Sequence, residues 1–327
     1  MTVICPRNSR RLPLRLSAPR APDADPFADS PNPHTTKDVR EITASKRRHA
    51  NDHGQAAPNR YGGSDGVAEP QDKRYHSASA FIPENLLREA LRQKSLREGS
   101  VPDVCVLDPD GDLVRKLIGS RRATLDEAWA CDHTELYRTR NDRLELGLVG
   151  CAVGASFADL IAEELFASGC RLLISVTSAG QLVAVRAPPY FILIDRALCD
   201  EGTSYHYLPP AEFSAADDAV LGKVEASLTR STVTLVRGPV WTTDAPFRQT
   251  PAAIDAMKAR GLLAVEMEAA ALHAFATATS KPVLCFAHVT HQMAQVHGDF
   301  DKGVAHGTVD ALALIGAAAR AWRDQVV

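Results

Sequence analysis

From about residue 79 onward, apolar residues recur in short runs of two kinds. Some runs are continuous, as expected for strands buried on both faces, and they cover 103–107, 144–149, 171–176, 191–194, 233–236, 262–265 and 282–289. Others repeat at helical spacing, and they predict helices over 84–98, 157–165, 221–228, 269–276 and 309–322. Strands that alternate with helices predict an α/β fold with a largely parallel sheet, covered by helices on both faces.

Residues typical of helix ends predict one more helix. Thr250 is a typical N-cap, Pro251 suits the first turn, and Gly261 follows the expected end. In a parallel sheet the carboxyl ends of the strands meet at one edge, where sites of α/β folds gather. We therefore expect the polar residues that follow the strands to form the functional site.

The first 78 residues lack these patterns. Residues 1–75 contain nine of the chain's 20 prolines, and no strand or helix period persists among them. Such a segment cannot bury enough apolar surface to offset the entropy lost on ordering. We predict a disordered Pro/Arg-rich extension over 1–78 and one folded domain over 79–327.

Composition excludes several classes of protein. The chain has 327 residues, is 45% hydrophobic and carries a formal net charge of −3, which argues against a general nucleic-acid binder. No apolar run approaches the roughly 18 residues of a membrane span. Seven irregularly spaced cysteines without a Cys-x-x-Cys pair favour reduced thiols in a cytoplasmic protein. No zinc pattern is present, and we expect neither a metal nor a cofactor.

The segment 264–272 contains several side chains that could bind a ligand within a few residues of one another. Glu266, Met267 and Glu268 lie where an apolar strand gives way to an Ala-rich helix. An extended backbone would point both carboxylates to the same face. Buried carboxylates need partners, and a cis-diol that donates two hydroxyl protons is one. The alternative is a helix N-terminus at which acids interact favourably with the dipole.

The same segment resembles the ribose-binding signature of the nucleoside phosphorylase and nucleosidase superfamily, and the likeness extends over about residues 101–320. The resemblance implies that Glu268 binds the 2′- and 3′-hydroxyls of a sugar, that Met267 packs on the sugar face, and that Glu266 lies beside them. It implies a single three-layer domain with a central, mostly parallel mixed sheet flanked by helices. It also implies a homodimer or a larger homo-oligomer.

Two further segments are similar to motifs of that superfamily. Thr177, Ser178 and Gly180 match a loop of small residues on the phosphate or nucleophile side of the sugar. The segment 241–250 matches the base-binding region, in which Phe247 or Trp241 would stack on the base, and Gln249 and Arg248 would read its edge. The alternative is that Phe247 belongs to the core and Arg248 pairs with Asp244.

A histidine stands where purine-cleaving relatives place an aspartate that protonates the departing base. That position falls on His291, and an imidazolium ion is an acid of suitable strength. The predicted catalytic residues are therefore His291 and, as an alternative aid to base departure, Arg248.

The chain differs from the superfamily at the positions that bind phosphate in phosphorylases. The turn 108–112 carries three carboxylates where phosphorylases have a Gly-Asp-Pro turn followed by arginine, and Ser175 replaces a second arginine. The arginine that a neighbouring subunit lends corresponds to Arg138 or Arg140. Three acids near an anion site repel phosphate.

The resemblance implies cleavage of the N-glycosidic bond of a nucleoside, by phosphorolysis to a free base and a pentose 1-phosphate. The missing arginines leave two alternatives, which are hydrolysis and nucleoside binding without catalysis. The expected partners are a nucleoside and, for phosphorolysis, inorganic phosphate. Neither nucleic acid nor a membrane is expected as a partner.

Overall fold

The structure is a computed structural model that describes residues 73–228, 233–293 and 300–324. They belong to one compact unit, Val67–Val327. Of the predicted extension 1–78, residues 1–72 lie outside the described residues. Just after that point the chain already contacts the folded domain, because Lys73 Nζ donates a hydrogen bond to the backbone oxygen of Tyr205 over 2.9 Å.

The described helices and strands alternate along the chain. The helices are α1 (Pro83–Lys94), α2 (Asp112–Gly119), α3 (Ala155–Ala167), α4 (Ser204–Tyr207), α5 (Asp218–Leu228), α6 (Pro251–Ala259), α7 (Ala269–Thr279) and α8 (Thr308–Arg323). The strands are β1 (Val104–Asp108), β2 (Ala123–Leu125), β3 (Leu136–Asn141), β4 (Leu144–Gly150), β5 (Leu172–Gln181), β6 (Tyr190–Asp200), β7 (Phe213–Ala215), β8 (Leu235–Thr243), β9 (Ala264–Glu266) and β10 (Val283–His291). Single 3₁₀ turns cover Pro246–Arg248 and Val304–Gly307.

The strands form one mixed sheet that is partly closed on itself. Strands β4, β1, β5 and β10 are parallel neighbours, and β6, β8 and β9 form a second parallel group. The groups meet in antiparallel pairs at β10–β6 and β5–β9, so that five strands close into a ring. The antiparallel strands β3 and β2 extend the other edge.

Helices cover both faces of this sheet. On one face, α3 and α7 pack on strand residues such as Leu173, and on the other, α2, α5 and α8 pack on residues such as Ile174. Neighbouring residues of a strand point to opposite faces, so each strand contributes to both apolar cores. The predicted three-layer α/β domain is therefore confirmed.

The helix signals of the sequence were partly correct. The Thr250 hydroxyl accepts a hydrogen bond from the Ala253 N–H at the start of α6, as predicted. The prediction that the first helix continues to residue 98 was wrong, since α1 ends at Lys94. Ser95 adopts a left-handed conformation there with φ 54°.

One strand is longer than the sequence indicated. The apolar run 171–176 predicted a loop from Thr177, but β5 continues to Gln181. The reason is pairing: β10 runs beside β5 as far as Gly180, and β9 pairs with Gly180 and Gln181. Backbone hydrogen bonds thus hold Thr177, Ser178 and Gly180 in extended conformation. No helix in the described part of the chain combines the length and apolar character needed to cross a membrane.

The packing of α7 allows a test of the fold. Phe275 on α7 is 1% exposed, and its ring centroid lies 5.6 Å from that of Phe166 and 5.7 Å from that of Tyr207. We expect Phe275→Ala to lower the free energy of unfolding by about 3–5 kcal/mol, measured by urea denaturation. The control Phe81→Ala, at a side chain that is 71% exposed, should change it by less than about 0.5 kcal/mol. Equal effects of the two substitutions would contradict this packing.

Candidate active site

The acid Glu266 caps helix α7 from the end of β9. Its Oε2 accepts hydrogen bonds from the backbone N–H groups of Glu268, over 2.7 Å, and Ala269, over 2.8 Å. Its Oε1 accepts from the Thr242 hydroxyl, and that hydroxyl accepts from the Ala270 N–H over 3.0 Å. Because both carboxylate oxygens bind groups of the protein, this arrangement positions the start of α7, where such donors are otherwise unpaired.

The acid Glu268 is bound very differently. Its side chain is buried, with 1% of the residue exposed, and Oε1 accepts from the Gly154 N–H over 2.7 Å. Oε2 has no hydrogen-bond partner among the residues that the structure describes. Burial, assisted by the neighbouring charge of Glu266, raises the pKa of Glu268 to about 8. A buried acceptor without a donor is costly, and it marks a place where a ligand can donate.

The expectation that both acids share one face was wrong. Strand β9 ends at Glu266, and Glu268 already precedes the helix with φ −130° and ψ −35°. The two-residue repeat of an extended chain therefore does not apply. Glu266 turns back to the helix, and Glu268 faces the loop between β4 and α3. Met267 lies between them and is half-buried.

A cleft of about 330 Å³ opens beside β5. Within it the Ser178 hydroxyl donates to Asp110 Oδ1 over 3.0 Å. Lys302 Nζ donates to Asp110 Oδ2 over 2.9 Å and to Asp112 Oδ2 over 2.6 Å. The lining residues come from four parts of the chain: Asp108, Asp110, Asp112 and Leu113; Val176, Thr177 and Ser178; His288; and His306, Gly307, Thr308 and Ala311.

Thr177 links the cleft to the buried acid. It lines the cleft, and its hydroxyl lies close enough to the Glu268 carboxyl group to lower the pKa of that group, against the larger effect of burial. The charge of Asp110 acts on the same carboxyl group. Glu268 and the acidic turn therefore belong to one site.

The first acid of that turn is shielded from water. Asp108 is buried at the end of β1 and accepts from the Val114 N–H over 2.9 Å. Burial raises the pKa of Asp108 to about 7, and the charges of Asp110 and Asp112 add to the shift.

His291 and the acidic motif flank Gly180. This glycine pairs with His291 on β10 and with Val265 on β9. A Cβ atom at Gly180 would lie 3.2 Å from His291 Nε2 and 2.6 Å from Met293 Sδ, so a larger residue would require these two side chains to shift. The His291 ring stacks on Phe300 with centroids 4.5 Å apart, and its Nδ1 lies 2.9 Å from Thr290 Oγ1.

The residues of the predicted base site separate into two environments. Phe247 is 98% exposed and Arg248 is also exposed, in the turn that follows β8, with Gln249 half-buried beside them. The alternative that Phe247 belongs to the core is wrong. Trp241 instead is buried against Ile254, and its indole N–H donates to Asp200 Oδ2 over 2.9 Å.

Arg138 is engaged on β3. Its Nε lies 2.8 Å from Asp126 Oδ2, its Nη1 lies 3.2 Å from Glu145 Oε1, and its Nη2 donates to the backbone oxygen of Ser100. Each of the three guanidinium nitrogens therefore has a partner within the chain. Ser175, at the position of the missing strand arginine, is buried in β5.

Three residues of the site were not predicted from the sequence. They are Lys302, Gly154 and Thr242, which bind Asp110, Glu268 and Glu266 respectively. Lys302 is 190 residues from Asp112 in the chain, and no local pattern connects the two. Within 73–228, 233–293 and 300–324, no group of three or more His, Cys, Asp or Glu residues is placed to hold a metal ion.

Residues 103–320 match the sequence model of the Phosphorylase superfamily. The chain belongs to that superfamily. The resemblance noted in the sequence is therefore confirmed at this level.

Two known proteins that are similar to this chain differ from it considerably in sequence. A guanosine phosphorylase from Halorubrum lacusprofundi is 25% identical over 191 residues, which cover 55% of this chain and 75% of that protein. A solved structure of uridine phosphorylase from Vibrio fischeri superposes with a TM-score of 0.57 at 18% identity, over 70% of this chain and 96% of the other. The second comparison shows that the fold is shared.

The environment of Glu268 predicts how stability depends on pH. Since its pKa is raised from 4.5 to about 8, the folded protein keeps a proton that the unfolded chain releases. Stability should therefore fall as pH rises from about 4.5 to 8, by about 1.4 kcal/mol for each unit of pKa difference. Glu268→Gln removes this contribution and keeps an acceptor for the Gly154 N–H.

The measurement is thermal melting of both proteins between pH 5 and pH 8.5. We expect the melting temperature of Glu268→Gln to rise relative to that of the wild type as pH increases. Glu127→Gln, at an exposed glutamate, should follow the wild type throughout. A difference between Glu268→Gln and the wild type that does not change with pH would refute the buried, proton-retaining carboxyl group.

Proposed function

We propose that this member of the Phosphorylase superfamily cleaves the N-glycosidic bond of a ribonucleoside and releases the free base. The observation that carries the proposal is the carboxyl group of Glu268. One of its oxygens is fixed by the Gly154 N–H, and the other has no partner among the described residues. The residue is 1% exposed, and its carboxyl group lies near Thr177, which lines the cleft.

A ribose diol fits this acid. An ionised carboxylate accepts two hydroxyl protons at once, and hydrogen bonds to a charged group are stronger than those between neutral groups. Binding the diol would supply the missing donors and favour the ionised form of Glu268. The half-buried Met267, next in the chain, would cover the apolar face of the sugar.

Other residues of the site would assist the attack on the sugar and the departure of the base. Ser178 and Thr177 line the cleft, where an attacking group would approach. His291 pairs with Gly180 of the same strand β5, and from there it would deliver a proton to the departing base and assist cleavage. The exposed ring of Phe247, after β8, is free to stack on a base.

Membership of the superfamily favours phosphorolysis, in which phosphate accepts the pentose to give a pentose 1-phosphate. By their names, the two relatives act on a purine nucleoside and on a pyrimidine nucleoside. A test must therefore include both kinds of base.

The first test is base release from guanosine, inosine, adenosine and uridine in phosphate buffer, followed by chromatography. We expect release from at least one nucleoside. Glu268→Ala should lower kcat/KM about 100-fold or more, because two hydrogen bonds to a charged group are worth about 1.5–3 kcal/mol each. The matched control Glu127→Ala should keep wild-type activity. Full activity of Glu268→Ala, or no release from any nucleoside, would refute the proposal.

The second test concerns His291. If it protonates the departing base, His291→Ala should lower kcat/KM for a nucleoside by about 10²–10⁴-fold. Nitrophenyl riboside carries a leaving group that departs without a proton, so its cleavage should change little. The exposed His206 provides a control, and His206→Ala should cleave both substrates as the wild type does. Equal losses on both substrates in His291→Ala would contradict the assigned role.

A further inference from the structure

The cleft beside Ser178 already contains an anion that belongs to the protein. Asp110 accepts from the Ser178 hydroxyl over 3.0 Å and from the Lys302 ammonium group over 2.9 Å. A hydroxyl and an ammonium group are the donors that an external oxyanion would use. The carboxylate of Asp110 thus takes the place of such an anion.

The cations of this cleft are balanced by acids. Lys302 also binds Asp112 over 2.6 Å, and the other oxygen of Asp112 lies 2.6 Å from Arg115 Nη2. Two cations therefore pair with two carboxylates, and Asp108 lies next to them. A phosphate ion beside Asp110 would meet a like charge at close range, and this repulsion opposes its binding.

Asp110 is also near the sugar site proposed above. Its partner Ser178 is adjacent in β5 to Thr177, whose hydroxyl lies near Glu268. A sugar held by Glu268 would therefore lie near Asp110, whose charge acts on the Glu268 carboxyl group. The Asp110 side chain is 30% exposed, so water reaches it.

We infer that the acceptor of the pentose is water rather than phosphate, that Asp110 is the base that activates this water, and that Lys302 positions Asp110. The inference rests on the proposed cleavage of a nucleoside. It extends that proposal by naming the acceptor and a residue that determines it.

The step balances without a further reactant. Asp110 takes one proton from water while the water oxygen forms a bond to the anomeric carbon, C1′. The bond between C1′ and the base nitrogen breaks, its electron pair stays on the base, and His291 supplies the proton that makes the base neutral. The products are the free base and ribose, and the proton on Asp110 returns to His291 through solvent.

Lys302 acts through Asp110 and is a positioning residue. Its side chain is 17% exposed, and its ammonium group binds two carboxylates that are two residues apart. These bonds fix one oxygen of Asp110, and the Ser178 hydroxyl fixes the other. Each carboxylate oxygen keeps a second lone pair, which can accept a proton from water.

The decisive experiment omits phosphate. The wild-type protein is incubated with the nucleoside panel in a phosphate-free buffer that contains methanol, and the sugar products are separated. We expect base release at the same rate with and without phosphate, together with ribose and methyl riboside, since methanol replaces water. Release that requires phosphate and yields pentose 1-phosphate would overturn this inference and leave the proposed function intact. No release in either buffer would overturn the proposed function itself.

Variants test the two residues separately, and melting temperatures confirm that each variant folds. Asp110→Asn should lower kcat in phosphate-free buffer by about 10²–10⁴-fold with little change in KM. Lys302→Met should lower kcat at least about tenfold with little change in KM, because Asp110 loses the contact that fixes one of its oxygens. Lys302→Arg, which keeps the charge and its hydrogen-bond donors, should restore most of the rate.

The matched control is Lys116→Met, at an exposed lysine on α2, which should leave kcat and KM unchanged. Wild-type kcat in Lys302→Met would overturn the role of Lys302. Wild-type kcat in Asp110→Asn would overturn the role of Asp110 as the base.

Discussion

The cap that Glu266 forms on α7 is the interaction on which the site depends. Its carboxylate binds two backbone N–H groups of the helix start and the Thr242 hydroxyl of β8. It therefore ties β9, β8 and α7 together at one point. The neighbouring acid, Glu268, follows directly after this junction and is buried with Oε2 lacking a partner among the described residues, at a cost that ligand binding would remove.

The carboxylates of the site differ in how completely the protein supplies them with hydrogen-bond donors and cations. Around Asp110 and Asp112 the charges are neutralised by Lys302 and Arg115. The described groups that act most strongly on Glu268 include no cation, and burial raises the pKa of Glu268 to about 8. The carboxylates of Asp110 and Asp112 are therefore paired without a ligand, whereas Oε2 of Glu268 has no donor among the described residues. This asymmetry favours a substrate that brings hydroxyl groups to Glu268 and argues against an added anion beside Asp110.

Much of the fold follows from local patterns in the sequence, because buried strands and capped helices leave periodic signals. The start of α6 at Thr250 and the junction at 264–272 were predictable in this way. Pairing across the sheet was not, and so the extension of β5 to Gln181 was missed. The candidate site could be proposed from the sequence where its residues are adjacent in the chain, as they are around Glu268. Lys302 was missed because its contact with Asp112 spans 190 residues, and a local pattern carries no information on such a contact.

The central claim is that Glu268 recognises a ribose diol. The most direct measurement is the dissociation constant of a C-nucleoside, whose carbon–carbon glycosidic bond resists cleavage, and of its 2′,3′-dideoxy counterpart, for the wild type and for Glu268→Ala. The account predicts that the wild type prefers the diol about 100-fold, in line with two hydrogen bonds to a charged group, and that the variant shows no preference. A preference of the same size in both proteins would show that another residue binds the sugar.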